Sequence, residues 1–126
     1  MLATQLDAYR TVQKTTDSGR ELEASVLCLA AMKLTDCQKN WGAEDRDSRL
    51  NEALEHNQRI WTILQSELAK ADNPLPQRIK DDLLSLSIFV DKRTFDIMAF
   101  PVQEKLSMLI NINLNIAAGL RGSAGT

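Results

Sequence analysis

Between Leu50 and Ala71, the residues Leu50, Leu54, Asn57, Trp61, Leu64, Leu68 and Ala71 follow one another in steps of 4, 3, 4, 3, 4 and 3. That rhythm lays one stripe down an α-helix and is the seam of coiled-coil-like packing. A strand would scatter the same residues over both of its faces. A helix marked in this way needs other helices to cover its stripe, and the rest of the chain can supply them. Only five glycines and three prolines interrupt 126 residues, so the chain is expected to be mostly helical. That length closes a single core without staples, and 44% apolar with 25% charged residues is ordinary for a globular domain. The expected fold is all-α: a single-domain bundle of about four long antiparallel helices plus a short N-terminal helix, spanning 1–122, with a flexible tail at 123–126.

The other elements follow from pattern and punctuation. Leu2, Leu6, Tyr9 and Val12 mark a short amphipathic helix, too short to stand unless it docks. Ser18 and Glu21 have the spacing of a capping box and open a helix expected over 19–41. Its main stripe is Leu27, Ala30, Leu34, Cys37 and Trp41, with Leu22, Val26 and Leu29 beside it. The polar turn 42–48 precedes the seam helix, which ends at ADNPLP, where Pro76 can occupy the first position of the next helix. That helix, expected over 76–98, carries Ile79, Leu83, Leu86, Val90 and Ile97 on one stripe, with Arg93 in the slot between Val90 and Ile97. A second stripe holds Leu84, Ile88, Phe95 and Met98. An apolar circumference this wide means that the helix is central or is half-covered by a partner.

The segment from Ile110 to Ile116, INLN within it, alternates apolar residues and asparagines one for one, which is strand period. No other segment offers it a neighbouring strand, and a lone strand leaves its backbone groups unsatisfied. At helical period, counted from a start at Pro101, Val102, Leu106, Leu109, Asn113, Ile116 and Leu120 repeat the 4, 3, 4, 3, 4 rhythm. Glu104, Ser107, Asn111 and Asn115 then share a polar face. The segment reads as a helix.

Most site chemistries are excluded. A net charge of −2 with no isolated basic cluster argues against direct RNA or DNA binding. Cys28 and Cys37 lie on opposite sides of one helix, about 13 Å apart along its axis, and read as reduced thiols. No Cys/His spacing suits zinc, no glycine-rich loop can cradle a phosphate, and one histidine, His56, assembles no nucleophile–base pair. No cofactor, metal or catalytic residue is expected. The first residues, MLATQLDAYR, lack an apolar signal core and no run approaches membrane-spanning length, so a cytoplasmic protein without membrane insertion is expected.

The two seam asparagines are the chemically informative residues. A buried asparagine costs stability unless its amide is partnered, and its best-attested use is to fix register or partner choice. Asn57 and Asn113 either bond each other across helices or line a groove that receives a helix from another protein. Trp61 and Arg93 are of the types that interfaces favour. Arg59 is two positions from both Asn57 and Trp61 and so points away from their seam. The candidate partner-binding set is Asn57, Arg59, Trp61, Arg93, Phe95, Asn111, Asn113 and Asn115.

Several stretches then carry a resemblance: AYRTVQKTT, SGRELEA, EALEHNQRIWTILQSEL, DNPLP, LSLSIFVDKRTFDIM and LININLNIAAGLRG. In order and spacing, over nearly all of 9–122, the chain resembles the FlaF family of alphaproteobacterial flagellar-biosynthesis regulators. It departs at Gly19, where the family commonly has proline. The resemblance implies a role in flagellin production and type III export, alongside the regulator FlbT, which acts on flagellin mRNA. The leading expectation is a secretion chaperone that holds flagellin's terminal segments as helices in a groove and couples export to synthesis. The alternative is post-transcriptional regulation of flagellin mRNA, directly or through FlbT. A third class, a structural oligomer whose apolar faces cover one another, fits the same stripes.

Overall fold

The structure, a computed structural model, describes residues 19–125, with side chains described through 122. The expected helix at 2–12 and the capping Ser18 lie outside the described residues. Four α-helices, α1 (Arg20–Lys39), α2 (Arg46–Leu68), α3 (Gln77–Ala99) and α4 (Leu106–Gly125), form an all-α bundle, with a 3-10 turn (Gln103–Lys105) leading into α4. No strand occurs among the described residues, and the asparagine-alternating segment is helical throughout. The backbone of α4 is helical to Gly125.

Neighbouring helices run antiparallel. At one end of the bundle Arg121 of α4 pairs with Glu21 of α1 at 3.2 Å. At the other end, Gln38 of α1 donates to Ser107 Oγ at 2.8 Å and to the Gln103 carbonyl at 3.1 Å, while Gln103 donates back to the Gln38 carbonyl at 2.8 Å. The α1–α2 turn is stitched by Arg49 to Asp45 (2.9 Å) and Asp36 (3.6 Å), and Arg46 lies over the Trp41 ring. The α1–α4 pairing is the most extensive, α1–α2 and α2–α3 follow, and α3 and α4 touch only slightly. The last helix therefore closes back onto the first, and α3 is the most peripheral element.

The seam of α2 is buried as its rhythm predicts, from Leu50 through Leu54, Asn57, Trp61 and Leu64 to Leu68. Ala71 falls beyond the helix and is exposed. Asn73 shapes the turn that follows, donating to the Glu67 carbonyl and accepting from the Leu75 N–H, both at 3.0 Å. Pro76 caps α3 in an extended conformation (ψ 146°) instead of forming its first turn.

Three expected positions are corrected. The inward row of α3 is Leu83, Ser87, Val90, Thr94 and Ile97; Leu86 is half-buried, Ile79 is exposed, and Arg93 lies outside the row. Ser87 and Thr94 tolerate burial because each hydroxyl donates to a carbonyl of its own helix, Leu84 at 2.6 Å and Val90 at 2.7 Å. The last helix does not start at Pro101: the residue before a proline is driven out of the α region, Phe100 sits at ψ 82°, and Val102 is extended. Within α4, Ala117 is fully buried and Ile116 half-buried, so the seam passes between them.

Candidate functional site

At the centre of the bundle, three helices meet in one polar node. The Trp61 indole N–H donates to Asn113 Oδ1 at 3.0 Å. Asn113 Nδ2 in turn donates to Asn57 Oδ1 at 2.7 Å and to the Leu27 carbonyl of α1 at 3.3 Å. The indole is a donor alone, so it fixes which way the Asn113 amide faces, and that fixes the Asn57 amide in turn. All three side chains are 0% exposed. The node therefore answers the alternative left open by the sequence in favour of mutual bonding. Asn57 Nδ2 remains buried without a partner, so the node is held in place against a desolvation cost.

The other candidate residues stand apart from this node. Arg93, half-buried, pairs with Asp96 at 3.5 Å, lies over the Phe89 ring and reaches Met108 Sδ at 3.5 Å. Lys105 joins the same cluster through Asp96 and the Phe100 carbonyl, fastening the C-terminal end of α3 to the start of α4. Arg59, Asn111 and Asn115 are exposed on the outer faces of α2 and α4. Phe95 is 59% exposed on the flank of α3 opposite Arg93.

That flank carries the largest unspent apolar surface of α3. Ile88 is 57% exposed, and the half-buried Leu84 and Met98 extend the line on either side of Ile88 and Phe95. Sequence periodicity had marked these four residues. It missed Ser87, Thr94 and the Gln38–Gln103 pair, although steps of 4, 3, 4 and 3 from Leu83 reach Ser87 and Thr94 directly.

Burial shifts two ionisable groups of the α1–α2 pair. Burial, then the nearby Asp36 carboxylate, pushes the Cys37 thiol up, away from the thiolate a nucleophile needs. Burial, then Lys33 and Arg59, pulls His56 down. Among the described residues no group of His, Cys, Asp and Glu could hold a metal ion, and no helix is long and apolar enough to cross a membrane.

Glu23 faces a cleft with Glu67, Arg20 and Lys70, and burial, then Glu67, raises its pKa above 4.5. A raised folded-state pKa means that folding favours the protonated acid. Its contribution is fully present below about pH 4.5 and is lost as pH rises through the folded-state value. Glu23→Gln should therefore raise the denaturation midpoint at pH 7, with the gain vanishing below pH 4.5; urea titrations at the two pH values would show it.

Searches of curated proteins and of solved structures found no match to this chain. A protein-family model, by contrast, matches residues 5–120, all but a few residues at each end, and describes the flagellar protein FlaF. With that match over an all-α bundle of the expected kind, the chain belongs to the FlaF family of flagellar proteins.

Proposed function

We propose that this flagellar protein holds a terminal segment of flagellin, folded as an amphipathic helix, against the outer flank of α3, and so serves as an export chaperone that couples flagellin secretion to its synthesis. The observation that carries the reading is the half-spent stripe Leu84, Ile88, Phe95 and Met98. Stripes of this spacing are what helix-in-groove recognition uses. Full burial of an isoleucine or phenylalanine side chain contributes about 1.5–3 kcal/mol, and more than half of that surface on Ile88 and Phe95 is still in water. A guest helix would shield it from water, and flagellin held in this way could not polymerise before export. Such a role needs no nucleotide, metal or catalytic group. With both signs of charge interleaved along the chain, recognition of flagellin is favoured over direct recognition of its mRNA.

Co-purification of the protein with flagellin, with and without flagellin's terminal segments, tests the proposal. A one-to-one complex is expected that disappears when the segments are removed. Ile88→Asp with Phe95→Asp should abolish the complex while leaving the bundle folded, since both positions are solvent-exposed. Binding that ignores the terminal segments, or survives the double substitution, would overturn it.

A further inference from the structure

The apolar flank of α3 has a charge at its centre. Leu84, Ile88, Asp91, Phe95 and Met98 follow one another in steps of 4, 3, 4 and 3, and α3 is helical through all of them. This is the rhythm of the buried seam of α2, with Asp91 in the place that Asn57 holds there. Asp91 is half-buried and makes no hydrogen bond or ion pair with any described residue. The cations beside it in sequence do not serve it. Lys92 is turned about 100° round the helix and is exposed. Arg93 lies on the opposite flank, where it pairs with Asp96 at 3.5 Å. A carboxylate set in an apolar stripe constrains whatever covers the stripe. Covered without a counter-charge, it loses its water and gains nothing in exchange. Faced by a cation, it fixes the register of the pairing, as a single polar seam residue does in coiled coils.

A second copy of the chain is the wrong occupant. The stripe is symmetric about residue 91, so an isologous antiparallel pairing that used all of it would set Leu84 against Met98 of the second copy and Ile88 against its Phe95. Asp91 would then face its own counterpart, and two carboxylates opposed in a dry interface repel.

We propose that the helix this flank accepts carries a lysine or arginine within its own apolar stripe, and that Asp91 pairs with that cation, sets the register of the guest and rejects helices that lack it. The inference rests on the chaperone reading and adds to it the chemical class of the segment that is held. Ile88 and Phe95 lie about 4.5 and 6 Å from Asp91 along the helix axis. Apolar guest residues one turn to either side of the cation would therefore fall on Ile88 and Phe95, the two most exposed members of the stripe. An amphipathic helix whose stripe is apolar throughout would leave the Asp91 carboxylate covered and unpaired, and one with an acid at that place would be repelled.

The test titrates the full-length protein into fluorescently labelled peptides of flagellin's two terminal segments and reads anisotropy. Asp91→Asn should weaken binding by at least about tenfold, and Asp91→Arg should abolish it. Circular dichroism of both variants should match the parent, because residue 91 makes no bond within the described bundle. Each lysine and arginine of the bound segment is then changed singly to glutamate. One such change, at a position with apolar residues a helical turn to either side, should restore binding to Asp91→Arg, a rescue that a merely structural role for Asp91 would not give. Unchanged affinity in Asp91→Asn and Asp91→Arg, with binding still lost in Ile88→Asp with Phe95→Asp, overturns this proposal and leaves the chaperone reading standing. A loss in Asp91→Arg that no single reversal restores overturns it in the same way. A parent protein that binds neither segment overturns both. Sedimentation of the protein alone should show a monomer at neutral pH; a dimer that Ile88→Asp dissociates would give the flank to a second copy and overturn the proposal.

Discussion

Trp61→Ala should lose about 3–5 kcal/mol of folding stability, the usual cost of emptying a fully buried aromatic site. The indole is 0% exposed at the middle of the α2 seam, so no solvent can fill the space without wetting Leu54, Leu64 and their neighbours. A second loss follows from the hydrogen bond. Without the indole N–H, Asn113 Oδ1 has no donor facing it, and an orphaned buried acceptor costs about 1–3 kcal/mol in its own right. A domain of this size is stable by about 5–15 kcal/mol, so the variant should lose a large share of its stability. Trp61→Phe separates the two effects. It keeps most of the ring and removes the donor, so its deficit should fall near the hydrogen-bond figure alone. Urea denaturation of both variants checks this. A midpoint for Trp61→Ala within error of the parent would mean that Trp61 is not the core residue its burial makes it.

The seam of α2 was legible because its rhythm is uninterrupted and its single polar member, Asn57, stands where an apolar residue would. The same pattern identified α4 against the local evidence of strand-like alternation, because the helical reading left Asn113 alone in the seam and sent Asn111 and Asn115 outward. That Asn113 meets Asn57 is a matter of three-dimensional register, which periodicity along one helix does not contain. Trp61 was visible as a seam residue, but its role as the donor that orients both amides depends on α2 and α4 lying diagonally across the bundle. On α3 the pattern misled. An apolar-first reading took Leu86 and the Arg93 slot as inward, while the buried row runs through Ser87 and Thr94, whose hydroxyls are satisfied within the helix. Polar residues that can bond their own backbone are invisible to hydropathy and acceptable to a core. The start of α4 was misplaced for a related reason: Pro101 suits a first helical turn, but the extended Val102 carries the chain across to α1 before the helix begins. The exposed α3 stripe, by contrast, was legible as a second apolar flank, which only a central helix would bury within the bundle, and α3 is peripheral.

Asn113→Asp should make the protein's stability depend steeply on pH. The substitution is nearly isosteric, so packing is preserved and the effect is electrostatic. As a carboxylate, residue 113 would present acceptors to the Leu27 carbonyl and to Asn57 Oδ1, where the amide now donates to both. It would also be ionised at a site with 0% exposure. Desolvation raises the folded-state pKa of such an acid above its unfolded value of about 3.9. The sign follows from linkage. Relative to the parent, the variant's deficit is smallest below about pH 3.9, where the acid is protonated in both states. It grows by about 1.4 kcal/mol per pH unit above that, until the folded-state acid ionises or the bundle unfolds. Protonated, the acid still donates one hydrogen bond, so part of the node survives at low pH. The variant should therefore approach the parent in urea midpoint near pH 4 and fall far below it at pH 7. Asn113→Ala should show a deficit that is the same at both pH values, since it introduces no titrating group. If the Asp variant's deficit were also independent of pH, residue 113 would be reached by water, and the node would be a surface feature of α4 instead of the lock that aligns α1, α2 and α4. The orphaned Asn57 Nδ2 supports the lock. A buried amide that leaves its own nitrogen unpartnered is retained at a cost in stability, and fixing the relative register of three helices is the return that a seam of leucines, which pack acceptably in several registers, does not provide.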